Sequence, residues 1–113
     1  MKKKQKIHID ILFNKDNVPE KMEWDASGSP MPGDKECKAF LLALWDGNAK
    51  QALRMDLWTK EMQVEEMHHF FFQTFMTLGE TFANATGDKA TADEIHTFGK
   101  QFGEKLGVIK KTS

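Results

Sequence analysis

The sequence predicts an α+β domain: a three-stranded, mainly antiparallel sheet with three helices packed on one face. Three observations carry this. Apolar and polar residues alternate over 7–13, 19–26 and 52–59, the period of half-buried strands. Apolar residues recur every three or four positions over 34–45, over 64–86 and from 91 onward, the period of one-sided helices. Turn-forming residues punctuate the chain at Asn14–Asn17, Ser27–Gly33, Gly47 and Gly87. The predicted order is β-β-α-β-α-α across 7–110, a single domain, with a disordered basic lead-in at 1–6 and a tail at 111–113.

In the first strand Ile7, Ile9, Ile11 and Phe13 share a face, with His8 and Asp10 opposite. In the second, Met22 and Trp24 lie opposite Lys21, Glu23 and Asp25, and the short polar turn between the two strands makes a hairpin. Asp34 is placed to cap a helix to Trp45, with Phe40, Leu41, Leu44 and Trp45 as its apolar face and Gly47 as its stop. The third strand sets Leu53, Met55 and Leu57 against Arg54, Asp56 and Trp58. The long helix carries a stripe of Val64, Met67, Phe71, Phe75, Leu78 and Phe82, with Gly87 just past its end. Phe70, Phe72 and Met76 widen its apolar surface beyond that stripe, so it needs neighbours on more than one side. The last helix opens on Thr91-Ala92-Asp93-Glu94, read as a capping box, and continues with Ile95, Phe98, Phe102 and Leu106. Gly99, Gly103 and Gly107 stand four residues apart beside it. Gly107 reads as a terminator. Gly99 and Gly103 call for close packing against the long helix or against another subunit, because glycine inside a helix otherwise costs about 1 kcal/mol relative to alanine.

Apolar residues make up 40% of the 113 and charged residues 29%, an ordinary globular balance. The apolar set includes nine Phe, seven Met, three Trp and no Tyr, side chains suited to a dry core or interface. A net charge of −1 argues against nucleic acid as the main partner. Lys2, Lys3, Lys4 and Lys6, with Lys110 and Lys111, read as solvated ends whose membrane contact is at most peripheral. The single cysteine, Cys37, excludes an internal disulfide and fits a reducing compartment; with no apolar run long enough for a span or an export signal, the expected location is cytoplasmic.

Catalytic motifs are missing. There is no glycine-rich phosphate loop and no serine nucleophile elbow. Cys37 lies between Lys35 and Lys38, which would lower its pKa slightly, yet a lone cysteine reads as packing. Glu65 and Glu66 precede His68 and His69 at helical spacing, and Asp93 precedes His96 likewise. Carboxylate and imidazole three apart is di-iron spacing, but such a site needs two further inward glutamates, and Glu80 alone remains on the long helix. His68, His69 and His96 are therefore weak metal candidates, and no cofactor is expected. Arg54 is placed to pair with Asp56 or Asp46 as a structural ion pair.

Several stretches resemble the gliding motility-associated protein GldC family. They are Asn17-Val18-Pro19-Glu20-Lys21-Met22-Glu23-Trp24, Glu36-Cys37-Lys38-Ala39 through Leu44-Trp45-Asp46, Leu53-Arg54-Met55-Asp56-Leu57-Trp58-Thr59-Lys60, Glu66-Met67 into Phe70-Phe71, Ala85-Thr86-Gly87 and Phe98-Gly99. The block from Leu53 to Thr59 is the most specific, since no generic strand demands it. The family pattern carries a proline where this chain has Gln63, which bears only on the start of the long helix. The resemblance implies a small cytoplasmic component associated with gliding motility and its secretion apparatus, without enzymatic activity or cofactor, and it supplies no catalytic residues.

The expected function is that of a non-enzymatic interaction component with protein partners in the motility or secretion machinery. Trp58, Phe70, Phe72, Met76, Gly99 and Gly103 are its contact candidates. The excess apolar surface of the long helix also predicts a homodimer. The alternative is a small apolar-ligand binding module with its pocket between sheet and helices.

Overall fold

The computed structural model describes residues 3–31 and 33–111. Pro32 of the predicted loop, and residues 1, 2, 112 and 113 of the predicted lead-in and tail, lie outside them. Two compact units follow one another, Met1–Met62 and Gln63–Ser113. Among the described residues the elements are β1 (Ile7–Phe13), β2 (Pro19–Ala26), β3 (Lys35–Cys37), β4 (Ala39–Asp46), β5 (Gln51–Trp58), α1 (Val64–Thr86) and α2 (Lys89–Lys105).

The first unit holds two antiparallel sheets, β1-β2-β3 and β4-β5. β1 and β2 form the expected hairpin. Asn14 Oδ1 accepts the N–H groups of Asp16 (2.8 Å) and Val18 (3.1 Å), and Asn17 takes a left-handed conformation with φ 61°. Asparagine tolerates that region better than most residues because its side chain bonds locally. The register pairs Ile9 with Trp24 and Ile11 with Met22, which puts the apolar residues of both strands on one face. Met22 is 1% exposed and forms the interior of this unit.

The helix expected over 34–45 is absent, and two strands, β3 and β4, replace it. The unbroken apolar run from Ala39 to Trp45 satisfies a period of two as well as a period of 3.6, so pattern alone could not separate them. Pairing with β5 decides the matter. It sets Phe40 opposite Leu57, Leu42 opposite Met55 and Leu44 opposite Leu53, all on one face. Asp34 caps nothing and bonds to His8 Nε2 instead (3.0 Å). Gly47 lies in the β4–β5 turn, where Asp46 Oδ1 accepts from the backbone of Asn48 (2.9 Å) and Ala49 (3.2 Å). The expected single three-stranded sheet is thus two sheets: β3 is the third strand, beside β2, and the strand predicted third in the chain, β5, pairs with β4.

The end of β5 continues the β4 ladder and then turns to β2. The buried Thr59 donates its N–H to the Lys38 carbonyl (2.8 Å), and Lys60 N–H reaches the Pro19 carbonyl (3.3 Å). The loop before β3 is organised by Lys35. Its Nζ donates to the carbonyls of Met31 (2.6 Å) and Gly33 (2.9 Å), meets Asp25 at 3.3 Å and lies 4.6 Å from the Trp24 ring centre.

The second unit is a helical hairpin. α1 has the boundaries read from the sequence. Gln63 N–H donates to Glu66 Oε1 (3.2 Å) at its start, a bond that a proline there could not make. Gly87 closes it in the left-handed region (φ 75°), donating to Ala83 O at 2.9 Å. α2 begins at Lys89, ahead of the predicted capping box. Its N-cap is Asp88, whose carboxylate accepts the Thr91 N–H (3.0 Å) and hydroxyl (2.7 Å). These bonds hold the Asp88 carboxyl below the usual carboxylate range.

Glycines line the seam between the two helices. A β-carbon at Gly99 would stand 3.0 Å from Met76 Sδ and 3.1 Å from Phe75 Cβ. At Gly103 it would stand 2.6 Å from the Phe72 ring, and at Gly79 it would run into the His96 imidazole. Replacing Gly103 with valine is expected to lower stability by roughly 1–3 kcal/mol, the usual cost of overpacking. Replacing the exposed Gln101 with alanine should change it by less than about 0.5 kcal/mol. Chemical denaturation of both variants checks this, and equal midpoints would show that the seam has room to spare.

Candidate interaction surfaces

The seam determines what remains outside it. Phe72 and Met76 lie against Gly103 and Gly99, so these four of the expected contact residues meet between the helices of one chain. Phe70 is half-buried, its ring edge-on to Phe71 at 6.3 Å. A second set of rings extends the contact between the helices from the edge of that seam. Phe75 makes edge-to-face contacts with Phe98 (5.3 Å) and Phe102 (5.1 Å), and Phe71 continues the array at 6.3 Å. A groove of about 650 Å³ opens beside them, lined by Leu78, Phe82, Ala85, Ile95 and Phe98 among others. Leu78 is 50% exposed and Phe98 55%. These residues belong to the stripes that the sequence assigned to the helix interior. The chain's surplus of Phe over polar aromatics was the available signal, but it could not say which stripe stays open.

The other surface is the β4–β5 ribbon. One face carries Phe40, Leu42, Leu44 and Met55, which together with Ile7, Ile9 and Ile11 of β1 line a groove of about 370 Å³. The opposite face sets Trp45 and Trp58 near its two ends, 70% and 56% exposed. Between them Arg54 Nη2 donates to both carboxylate oxygens of Asp56, at 3.2 and 3.1 Å. This is the ion pair expected from the sequence, but it is exposed rather than buried, and so contributes little to stability. Trp58 was legible as the aromatic on the more open side of its strand. Trp45 was not, because the apolar run from Ala39 to Trp45 fits a helical period as well.

The histidines and the cysteine are spread over four elements, β1, β3, α1 and α2. His96 Nε2 lies 3.0 Å from the Met76 carbonyl, which can only accept, so this nitrogen carries the proton and is committed to the seam. His68 is half-buried and His69 exposed on α1. A different trio comes together: His8, Asp10 and Asp34 bring their ligand-type atoms within 4.8 Å of one another, all three exposed. Cys37 lies in β3 rather than in a helix, half-buried. Burial pushes its thiol up, contrary to the lowering expected from its lysine neighbours. Lys35 gives it no such help, because its ammonium is spent on loop carbonyls. Among the described residues no helix is long and apolar enough to cross a membrane.

His8 has the clearest solution signature. The hydrogen bond to Asp34, aided by the charge of Asp10, raises its pKa above 6.5. A raised histidine pKa favours the folded state below the unfolded value and loses that effect as pH rises through the folded value. An NMR titration of the His8 ring should therefore find a midpoint above 6.5. The midpoint should fall in Asp34→Asn; an unchanged midpoint would mean that the Asp34 bond does not persist in solution.

A family model described as "Gliding motility-associated protein GldC-like" matches residues 19–108. Comparison with curated proteins and with solved structures returned no match. The match starts at the first residue of β2, ends beyond α2 and takes in both the ribbon and the helical hairpin. Since it covers most of the 113 residues, the chain belongs to the GldC-like family.

Proposed function

We propose that this chain is a non-catalytic, cytoplasmic interaction component that binds protein partners in the motility or secretion machinery. Its family associates it with gliding motility. The observation that carries the rest is the amount of large apolar side chain left open on well-formed elements. Trp45, Trp58, Met55 and Leu44 on the ribbon are each more than half exposed. Tryptophan and arginine dominate the energetics of protein interfaces, and the outer face of the ribbon offers two of the first flanking one of the second. A two-stranded ribbon is also marginal by itself and gains from a third layer. The lone cysteine fits a reducing compartment. The exposed Lys3, Lys4 and Lys6 leave room for peripheral contact with an anionic membrane but are too few for stable anchoring by charge alone.

Affinity capture from native cells at low salt tests this. The wild-type chain should bring down motility or secretion proteins, and a Trp45→Ser, Trp58→Ser double variant should lose at least about tenfold of that recovery, each position being placed as an interface anchor. The reading fails if the wild type captures nothing specific, or if the folded double variant captures the same set.

The groove lined by Ile9, Ile11, Phe40 and Leu42 supports a second reading, a site for a small apolar ligand, since its volume of about 370 Å³ suits one. Native mass spectrometry of freshly purified protein should then show an added mass that Leu42→Trp removes. A bare chain mass, with no thermal shift from fatty-acid or aromatic probes, sets this reading aside.

A further inference from the structure

We propose that a second copy of this chain covers the open face of the α1–α2 hairpin, so that two hairpins close into a four-helix bundle. This rests on reading the open apolar surfaces as interfaces, and it assigns one of them an occupant.

Among the described residues the hairpin lacks an interior of its own. Its buried residues are Gly79, Ala92, Gly99 and Gly103, and none of them supplies a large apolar side chain. Two helices form a single layer, and a stable helical unit needs a second layer against its apolar side. The large side chains available for that purpose, Leu78, Phe82, Ile95 and Phe98, all border the groove on one side. They alternate with small ones such as Ala85 and Thr91, which gives ridges and hollows of the kind that interlock between helices.

Size points to a second copy. The groove is lined from Phe75 to Ala85 on α1 and from Thr91 to Phe98 on α2, and the Phe71 and Phe102 rings extend this face to about 20 Å in length and roughly 20 Å across the two helices. That is about 400 Å² in projection and more in accessible area, a large part of the ~800 Å² per partner of a standard interface. A two-fold axis through the face would pair it with itself, the commonest arrangement for soluble oligomers.

Charge points the same way. Among the residues lining the groove only Glu94 is charged, so two copies meet without a block of like charge. A partner selected by charge would find nothing to read there, and an anionic lipid surface would meet a carboxylate instead of a basic rim.

Sedimentation velocity and light scattering on the purified full chain test this without any motility partner, so the outcome is independent of the capture experiment above. The expected mass is about 26 kDa, twice the 13.0 kDa of one chain. The melting temperature should rise with protein concentration, as mass action requires of a dimer. Phe98→Asp and Leu78→Asp should each weaken the dimer on the order of a hundredfold while far-UV circular dichroism retains the helix signal, and Trp58→Ser should leave it intact. A wild-type chain that stays monomeric, with a melting temperature independent of concentration, overturns the proposal whether or not the variants fold. So does a dimer that both folded variants leave unchanged, which would move the interface to another surface. A monomer that binds zwitterionic lipid vesicles through Phe98 likewise overturns it and gives the face to a membrane.

Discussion

The close approach of α1 and α2 at Gly79, Gly99 and Gly103 is the constraint from which the helical unit follows. Each glycine costs about 1 kcal/mol of helix propensity relative to alanine. In return the Phe72 ring, the Met76 thioether and the His96 imidazole occupy space that β-carbons would fill. His96 then reaches the Met76 carbonyl, so a polar group enters the seam only with its partner in place. The other rings extend the contact between the helices beside that seam. Phe71, Phe75, Phe98 and Phe102 are turned to one side and pack edge to face with one another. Phe71, Phe75 and Phe102 are thereby half-buried, while Phe98, with Leu78 near it, is left more open to solvent.

In the β-rich unit, register has the corresponding role. A slip of one residue between β1 and β2 would put the two apolar sets on opposite faces, turning Ile9 and Ile11 away from Met22 and Trp24 and bringing His8 and Asp10 to the apolar side. The Asn14 turn fixes the register at one end, and at the other Ser27 and Lys6 exchange hydrogen bonds of 2.9 and 3.1 Å. Lys35 then draws the loop carbonyls over Trp24, and Thr59 ties the end of β5 to Lys38 beside β4. The distal half of the ribbon receives no such cover, and both of its faces are exposed there.

These two surfaces give physical content to a family defined by a process. The family name associates the chain with gliding motility; the surfaces it leaves open are exposed tryptophans around an arginine and a groove bordered by phenylalanines. On the two proposals the hairpin takes a copy of the chain and the ribbon takes a different protein. Nothing in that scheme draws on catalytic side chains.

The sequence by itself determined β1, β2 and α1 to the residue, because each carries a single unambiguous period and ends on a residue with its own conformational reason: Asn14 and Asn17 in the turn, Gly87 in the left-handed cap. It also determined that Gly99 and Gly103 need a close neighbour, since no other cause offsets their cost inside a helix. Only the tertiary structure decided that the run from Ala39 to Trp45 is a strand, because its apolar residues fit either period and the choice lies with β5, which the chain reaches after a turn. It likewise decided that α2 starts from Asp88 rather than Thr91, since both side chains can cap and each one's bonds depend on where the connection from Gly87 delivers it. The openness of the stripe through Leu78 and Phe98 was also a tertiary decision. Periodicity states which residues share a face, but burial depends on what lies opposite that face, and no local pattern encodes it.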